Sequence, residues 1–334
     1  MKLLKITSQS PHFEQFIAFA KTLYPANNPR QQQAESFNFA YFHTGLMAMK
    51  NDEIQGRLVV YHNPDLQYKG QKVITLGNYE SIDNQQVASI LFDESTKIAQ
   101  SLGAKIILGP MNGSTWDNYR FSTSHDEAHF FLEPYHHLYY NEHFLNNGFA
   151  LFARYFSSRD TTLSYDTPEV LLREKHFLNE NVRFRNIDLN DFEAELERLY
   201  NFNAVAFQTN HLYTPIEKKD FFEKYAAAKR IINPDFVRLA ESENGELLGY
   251  FFCVQDFYNQ QEKSLILKTI ARHPDKKWAG MGHVIANQIY RKAVEQGFQS
   301  VIHAFMFDDG YSTTISKNFS GERFKNYHLY EKNV

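Results

Sequence analysis

The sequence predicts an α/β protein (an α+β mixed sheet in each half) built as two similar domains in tandem. Two observations carry this. Residues 264–270 form an apolar run of strand length, a glycine-bearing loop follows, and Val284, Ile285, Ile289 and Ala293 then recur at helical spacing. Gly297 stands where a C-terminal cap belongs, and 300–306 read as the next strand. The same order occurs earlier in the chain, where Gly103 answers to Gly297 and Lys105 to Ser300, offsets of 194 and 195 residues. A repeat of that length is a duplicated domain, not a solenoid.

Taken in order, residues 3–7 predict a strand, and 11–23 a helix with Phe13, Phe16, Ile17 and Phe19 as its apolar set. A polar connection spans 27–33. Runs 44–50 and 56–61 flank Asn51, Asp52 and Glu53 as an antiparallel hairpin. Residues 73–80 are the next strand, and 84–102 a helix with Val87, Ile90, Leu91, Ile98 and Leu102 on one face. Gly103 ends it, and 105–108 return as a strand. Residues 133–140 and 144–149 are expected to close the first domain as helix and strand. The second half opens with a strand at 182–187 and a helix at 191–207 capped by Asn190 or Asp191. Another helix is expected at 221–231, and 236–240 and 247–254 pair across Glu243-Asn-Gly-Glu246, a strong turn signal. The polar stretch near 158–181, with a connecting helix at 168–178, separates the copies. The expected division is therefore 1–160, a linker at 161–181, and 182–334.

At 334 residues the chain is long enough for two domains, and a net charge of −4 with both signs mixed gives no basic surface for nucleic acid. No apolar run approaches ~20 residues, and 1–7 are too short and polar for a signal peptide, so a cytoplasmic protein without a membrane partner is expected. The single cysteine, Cys253, lies in an apolar strand and excludes an intramolecular disulfide. The 30 Phe and 20 Tyr are expected to fill core and interfaces, a homodimer interface among them.

Gly280 and Gly282 open the helix that follows the 264–270 strand. Glycines let a backbone approach a ligand, and a helix start adds unpaired amides and the positive dipole end, a combination suited to phosphate or pyrophosphate. The spacing is neither the dinucleotide fingerprint, which needs a third glycine and a later acidic residue, nor a Walker loop, which needs Gly-Lys-Ser/Thr. Lys277-Trp-Ala-Gly-Met-Gly282 resembles the Gln/Arg-x-x-Gly-x-Gly/Ala signature of the GNAT superfamily of acyl-CoA N-acyltransferases, and His273-Pro274 before it fits the same pattern. Lys277 replaces the usual Gln or Arg, keeping a cation without its planar fork.

The resemblance implies that the second domain binds acetyl-CoA or another acyl-CoA as co-substrate. Lys277, Trp278, Ala279, Gly280, Met281, Gly282 and His283 would hold the pyrophosphate, and the amide of Ile270 or Ala271, on a splayed strand, would face the acyl oxygen. Asp309-Gly-Tyr-Ser312 is similar to the family's Asn-x-x-Ala/Ser element, which adds Ser312. The reaction implied is transfer of an acyl group to a small-molecule or peptide amine in a ternary complex. The family's glutamate on the fourth strand and its tyrosine after the fifth are both missing here, with Ser316 at the tyrosine's place. Tyr311 as acid and His303 as base are the substitutes, and positioning with water carrying the proton is another route. Asn210, His211 and Tyr213 are acceptor-site candidates.

At the corresponding place the first copy has 82–88 without a glycine, so it resembles a degenerate GNAT domain. Two other readings accompany the enzyme: a non-catalytic CoA-binding or scaffold module, and a metal-dependent hydrolase on the cluster between His125 and His143. In that cluster His125 and His129 are one turn apart, but the glutamate is displaced from the His-Glu-x-x-His pattern and no metal is expected. Trp116, Tyr119 and Arg120 are further small-ligand candidates.

Overall fold

The structure, a computed structural model, describes residues 1–308, 310 and 319–334. These form two compact units. Met1–Tyr155, His211–Thr214 and Lys325–Val334 make the first, and Phe156–Asn210 with Pro215–Phe324 the second.

The first unit contains β1 (Lys2–Ile6), α1 (Phe13–Thr22), β2 (Phe42–Lys50), β3 (Glu53–Tyr61), the two-residue β4 (Gln67–Tyr68), β5 (Gln71–Ser81), α2 (Gln85–Ser101) and β6 (Ile106–Gly109). The two-residue β7 (Phe121–Ser122), α3 (Tyr139–Leu145) and β8 (Ala150–Asp160) follow, and β8 counts with the second unit from Phe156 on. The strands lie in the order β1-β2-β3-β5-β6. All neighbours are antiparallel except β5 and β6, which pair in parallel from Val73↔Ile106 to Thr75↔Leu108. A parallel pair needs a crossover, and α2 supplies it. Its Val87, Leu91, Phe92 and Ile98 bury against Leu46, Leu58, Ile74 and Ile107.

The second unit repeats this plan with α4 (Pro168–Asn179), β9 (Arg183–Asn186), α5 (Phe192–Ala206), α6 (Lys218–Ala226), β10 (Val237–Glu241), β11 (Leu247–Gln255), β12 (Ser264–Arg272), α7 (Met281–Glu295) and β13 (Ser300–Phe307). The order is β9-β10-β11-β12-β13, again antiparallel until a parallel last pair, β12 with β13. Here α7 is the crossover. Met281, Val284, Ile285 and Ile289 pack with Phe251, Cys253, Leu265, Leu267 and Val301. Residues 250 and 252 point to the other face, where the Tyr250 hydroxyl donates to Asn203 Oδ1 of α5 at 2.8 Å.

Four segments depart from the expected layout. Residues 133–138 are irregular, and helix begins only at Tyr139. Phe144 and Leu145 belong to α3, so the expected strand starts later, at Ala150. The stretch 161–181 is part of the second unit, since Phe177 is buried in its core and Asp166 and Glu174 pair with Arg291 of α7. Finally β14 (Glu322–Asn333), which the sequence pattern had not marked as a strand, counts with the first unit from Lys325 on, pairing antiparallel with β6 from Tyr330↔Gly109 to Asn333↔Ile106. No described helix is long and apolar enough to cross a membrane.

Candidate active site

In the second unit β12 and β13 are paired from Ser264↔Ser300 to Leu267↔His303, although both strands continue beyond. The next residue of β12, Lys268, is a bulge: Leu267 stands opposite Cys253 and Thr269 opposite Phe252, leaving Lys268 without a counterpart on β11. On β13, Phe305 takes φ +58 and donates its N–H to Ser157 Oγ at 3.1 Å. The two parallel strands therefore part after Leu267 and His303. Ile270 and Ala271 lie past the bulge, paired with Phe251 and Tyr250 on their β11 side.

The glycine loop follows directly. Asp275 accepts the Lys277 amide at 2.8 Å, closing a turn over Lys276–Trp278, and Gly280 sits at the N-cap of α7 with φ +90. That left-handed conformation is why glycine stands there. Among the described residues no side chain caps α7. The amides of His283 and Val284 turn back to the Gly280 carbonyl at 3.0 and 3.3 Å, while those of Met281 and Gly282 precede the first intrahelical bonds, so this end presents donors and partial positive charge.

Three cations or potential cations surround this end. The exposed Lys277 lies 3.3 Å from Glu180 and over the Trp278 ring. Arg173, from α4, has Nη1 at 3.3 Å from His283 Nδ1, and its guanidinium fills the space that a Cβ on Gly280 would need. Burial and then the Arg173 charge lower the proton affinity of His283, keeping the imidazole neutral near pH 7. Arg173 was not legible in the sequence, because it lies on a helix that periodicity assigned to the linker. Its only local signal is Glu169 four residues earlier, which it pairs at 3.0 Å.

The first unit closes both features. Asn84 caps α2, its Oδ1 accepting from Gln86 N at 2.9 Å and Val87 N at 3.2 Å. Where β5 and β6 stop pairing, Asn112 Oδ1 accepts the Asn78 amide at 3.0 Å. Asn78 stands three residues after the paired Thr75, as Ile270 stands three after the paired Leu267.

Of the catalytic candidates, His303 is buried and hydrogen-bonded to the Tyr290 hydroxyl at 2.7 Å, which itself lies 3.1 Å from Asp160 Oδ2. Burial, only partly offset by Asp160, pulls its pKa down to about 4, so it is a neutral part of the core network. Tyr311, Ser312 and Ser316 lie outside the described residues. Asn210 counts with the second unit, while His211 and Tyr213 count with the first, where His211 stacks on Phe152 and Tyr213 lies beside Trp116. The three acceptor candidates are thus not gathered in one unit. Arg120 stacks on Tyr119 and Tyr155 in the first unit.

The histidine-rich stretch is a hydrogen-bonded network, its rings bonded largely to backbone groups. Buried Glu133 meets His129 Nδ1 at 2.8 Å, Lys325 Nζ at 2.9 Å and the Tyr327 hydroxyl at 3.0 Å. Burial alone would raise its pKa, but His129 and Lys325 outweigh that and lower it. Among the described residues no group of three His, Cys, Asp or Glu is arranged to hold a metal ion.

No protein-family model and no curated protein matches this sequence. Solved structures do match its fold. A tandem GNAT protein from the clavulanic acid biosynthesis pathway aligns over 99% of this chain and 98% of its own, at 8% identity and TM-score 0.56. A GCN5-related N-acetyltransferase from Sphaerobacter thermophilus aligns over 99% and 95%, at 9% identity and TM-score 0.54. A GCN5-related glucosamine N-acetyltransferase region of a fungal multi-domain GH3 beta-N-acetylglucosaminidase gives TM-score 0.58 at 12% identity, and this chain spans 38% of that protein. The chain has the tandem GNAT fold.

Proposed function

We propose that the protein is an acyl-CoA-dependent N-acyltransferase, using acetyl-CoA or a related thioester bound by the second unit and acting on a primary amine. The observation that carries this reading is the parting of β12 and β13 next to an uncapped, glycine-started α7, on a fold whose solved relatives include N-acetyltransferases. The residues present fit the co-substrate. The amides of Gly280, Met281 and Gly282 would hold a pyrophosphate, with Arg173 and Lys277 supplying positive charge. Backbone on the β13 side of β12 past Lys268 offers an N–H, Ile270 being the candidate, to an acyl oxygen as negative charge develops on it.

When bound, the thioester supplies the activated acyl group. Cys253 is buried with its thiol pushed up by burial, which disfavours an acyl-enzyme and supports direct transfer to the amine. His303 is held neutral in the core, so positioning the amine and letting water take its proton is the route that the described residues favour.

Calorimetric titration with acetyl-CoA and free CoA tests the reading, followed by thiol release with a panel of amines. About one site per chain is expected, lost in Gly282→Glu, where a carboxylate would meet the phosphates. Normal binding in that variant would sink the proposed site. Saturable binding without turnover on any amine would favour a non-catalytic CoA-binding module.

A further inference from the structure

The fork between β12 and β13 holds a primary amine of the protein's own. Lys268 is exposed, although Leu265, Ile266 and Leu267 before it are buried, and as the bulge residue it has no counterpart on β11. Its Nζ lies 4.6 Å from the centroid of the Phe305 ring. Phe305 stands on β13 two residues past His303, the last to pair with β12, and its backbone is turned to φ +58. The lysine side chain therefore reaches from one parted strand to the other, on the β13 side of β12. That is the side on which the Ile270 N–H is the candidate for the acyl oxygen, and Ile270 is two residues on, roughly 7 Å along an extended strand. A cation on an aromatic face is held only weakly at an exposed position, and the four-carbon stem of lysine is flexible, so the amine can swing within the fork.

We infer that Lys268 is itself an acyl acceptor: the protein transfers the acyl group of its bound thioester to this side chain. This rests on the acyl-CoA reading. The ammonium first loses a proton to water. The neutral Nζ then attacks the thioester carbon, and a C–N bond forms as the C–S bond breaks. A second proton passes from the nitrogen through water to the leaving thiolate, giving an amide and free CoA. The amide is uncharged, so acylation takes the cation off the Phe305 ring and leaves a longer side chain in the fork. Holding the amine beside the bound thioester makes the transfer effectively unimolecular, an advantage that no other surface lysine shares without the same placement.

The test is incubation of the full chain with deuterated acetyl-CoA, followed by peptide mass mapping, with calorimetric titration of acetyl-CoA on the same preparation. The strongly exposed Lys97 and Lys219 serve as internal references, since reaction in free solution would label them at least as fast. Lys268 is expected to acquire the label about tenfold faster or more. Excess free CoA is expected to slow labelling of Lys268 but not of the references, as is Gly282→Glu. Lys268→Arg, checked by a thermal melt, is expected to remove the fast adduct. Labelling that follows exposure, or that spares Lys268, in a protein that binds acetyl-CoA overturns the inference and leaves the acyl-CoA reading standing. Fast labelling of Lys268 that free CoA does not slow also overturns it, because the donor would then come from solution. Absence of acetyl-CoA binding removes both, and the calorimetric arm makes that failure distinct.

Discussion

Asn112 Oδ1 accepts the backbone N–H of Asn78 at 3.0 Å, inside the gap left where β5 and β6 part. The first unit thus satisfies, with its own side chain, the amide that corresponds topologically to that of Ile270. Asn112→Ala leaves this half-buried N–H without its acceptor and is expected to cost about 1–3 kcal/mol of stability. Because Asn84 still closes the end of α2, no CoA affinity is gained. Urea denaturation and a CoA titration of the same variant check both statements.

Asn84→Ala removes the cap of α2 and is expected to destabilise the protein by about 1 kcal/mol. CoA affinity is expected to stay at the wild-type value, as for other substitutions across 84–87. A loss of CoA binding in Asn84→Ala, with the fold retained, would place the co-substrate at the wrong helix.

Arg173→Ala is expected to weaken acyl-CoA binding about tenfold or more, the scale of a lost charge-assisted hydrogen bond to phosphate, and to flatten its salt dependence. Lys277→Ala, whose ammonium is exposed and already near Glu180, is expected to do less. Titrations at two ionic strengths separate the two. Equal, small effects would mean that Arg173 merely packs on Gly280.

The His303 pKa is about 4 in the folded protein against an ordinary value near 6.5, so between those values the unfolded chain binds the extra proton. Stability from this group is therefore complete above pH 6.5 and falls as pH drops toward 4, by an amount on the order of 3 kcal/mol. Unfolding midpoints of wild type and His303→Gln, followed from pH 7.5 to 4.5, are expected to converge at the acid end. Parallel curves would contradict the buried, neutral assignment.

The parts of the fold legible in the sequence are those whose partner is the sheet directly beneath them. The helix expected at 84–102 is Gln85–Ser101, and the one ended by Gly297 is Met281–Glu295, since apolar spacing and a capping residue suffice to define such elements. The uncapped glycine at α7 was legible for the same reason. Periodicity reports which face is buried, not what covers it. Arg173 shows the difference: its register on α4 was visible, but that α4 lies on α7 was not. Glu133 is a second case. Spacing brings it His129, four residues earlier, whereas two further partners, Lys325 and Tyr327, stand 192 and 194 residues away. Likewise, the loop that supplies the acceptor-site candidates His211 and Tyr213 gave no sign in its spacing that the Thr214 carbonyl accepts the indole N–H of Trp116 in the first unit at 2.9 Å.

The pairing of β14 with β6 has a consequence for biosynthesis. Chains fold as they leave the ribosome, N-terminal parts first, at roughly 5–20 residues per second. The first unit, through Tyr155, emerges early, but residues 325–334, of which 330–333 pair with β6, are made only after the whole second unit. For many seconds β6 has no strand on that side, and Glu133 lacks its lysine. The half translated first is thus the half completed last, and a gene fragment ending near residue 160 would encode a sheet with an open, sticky edge.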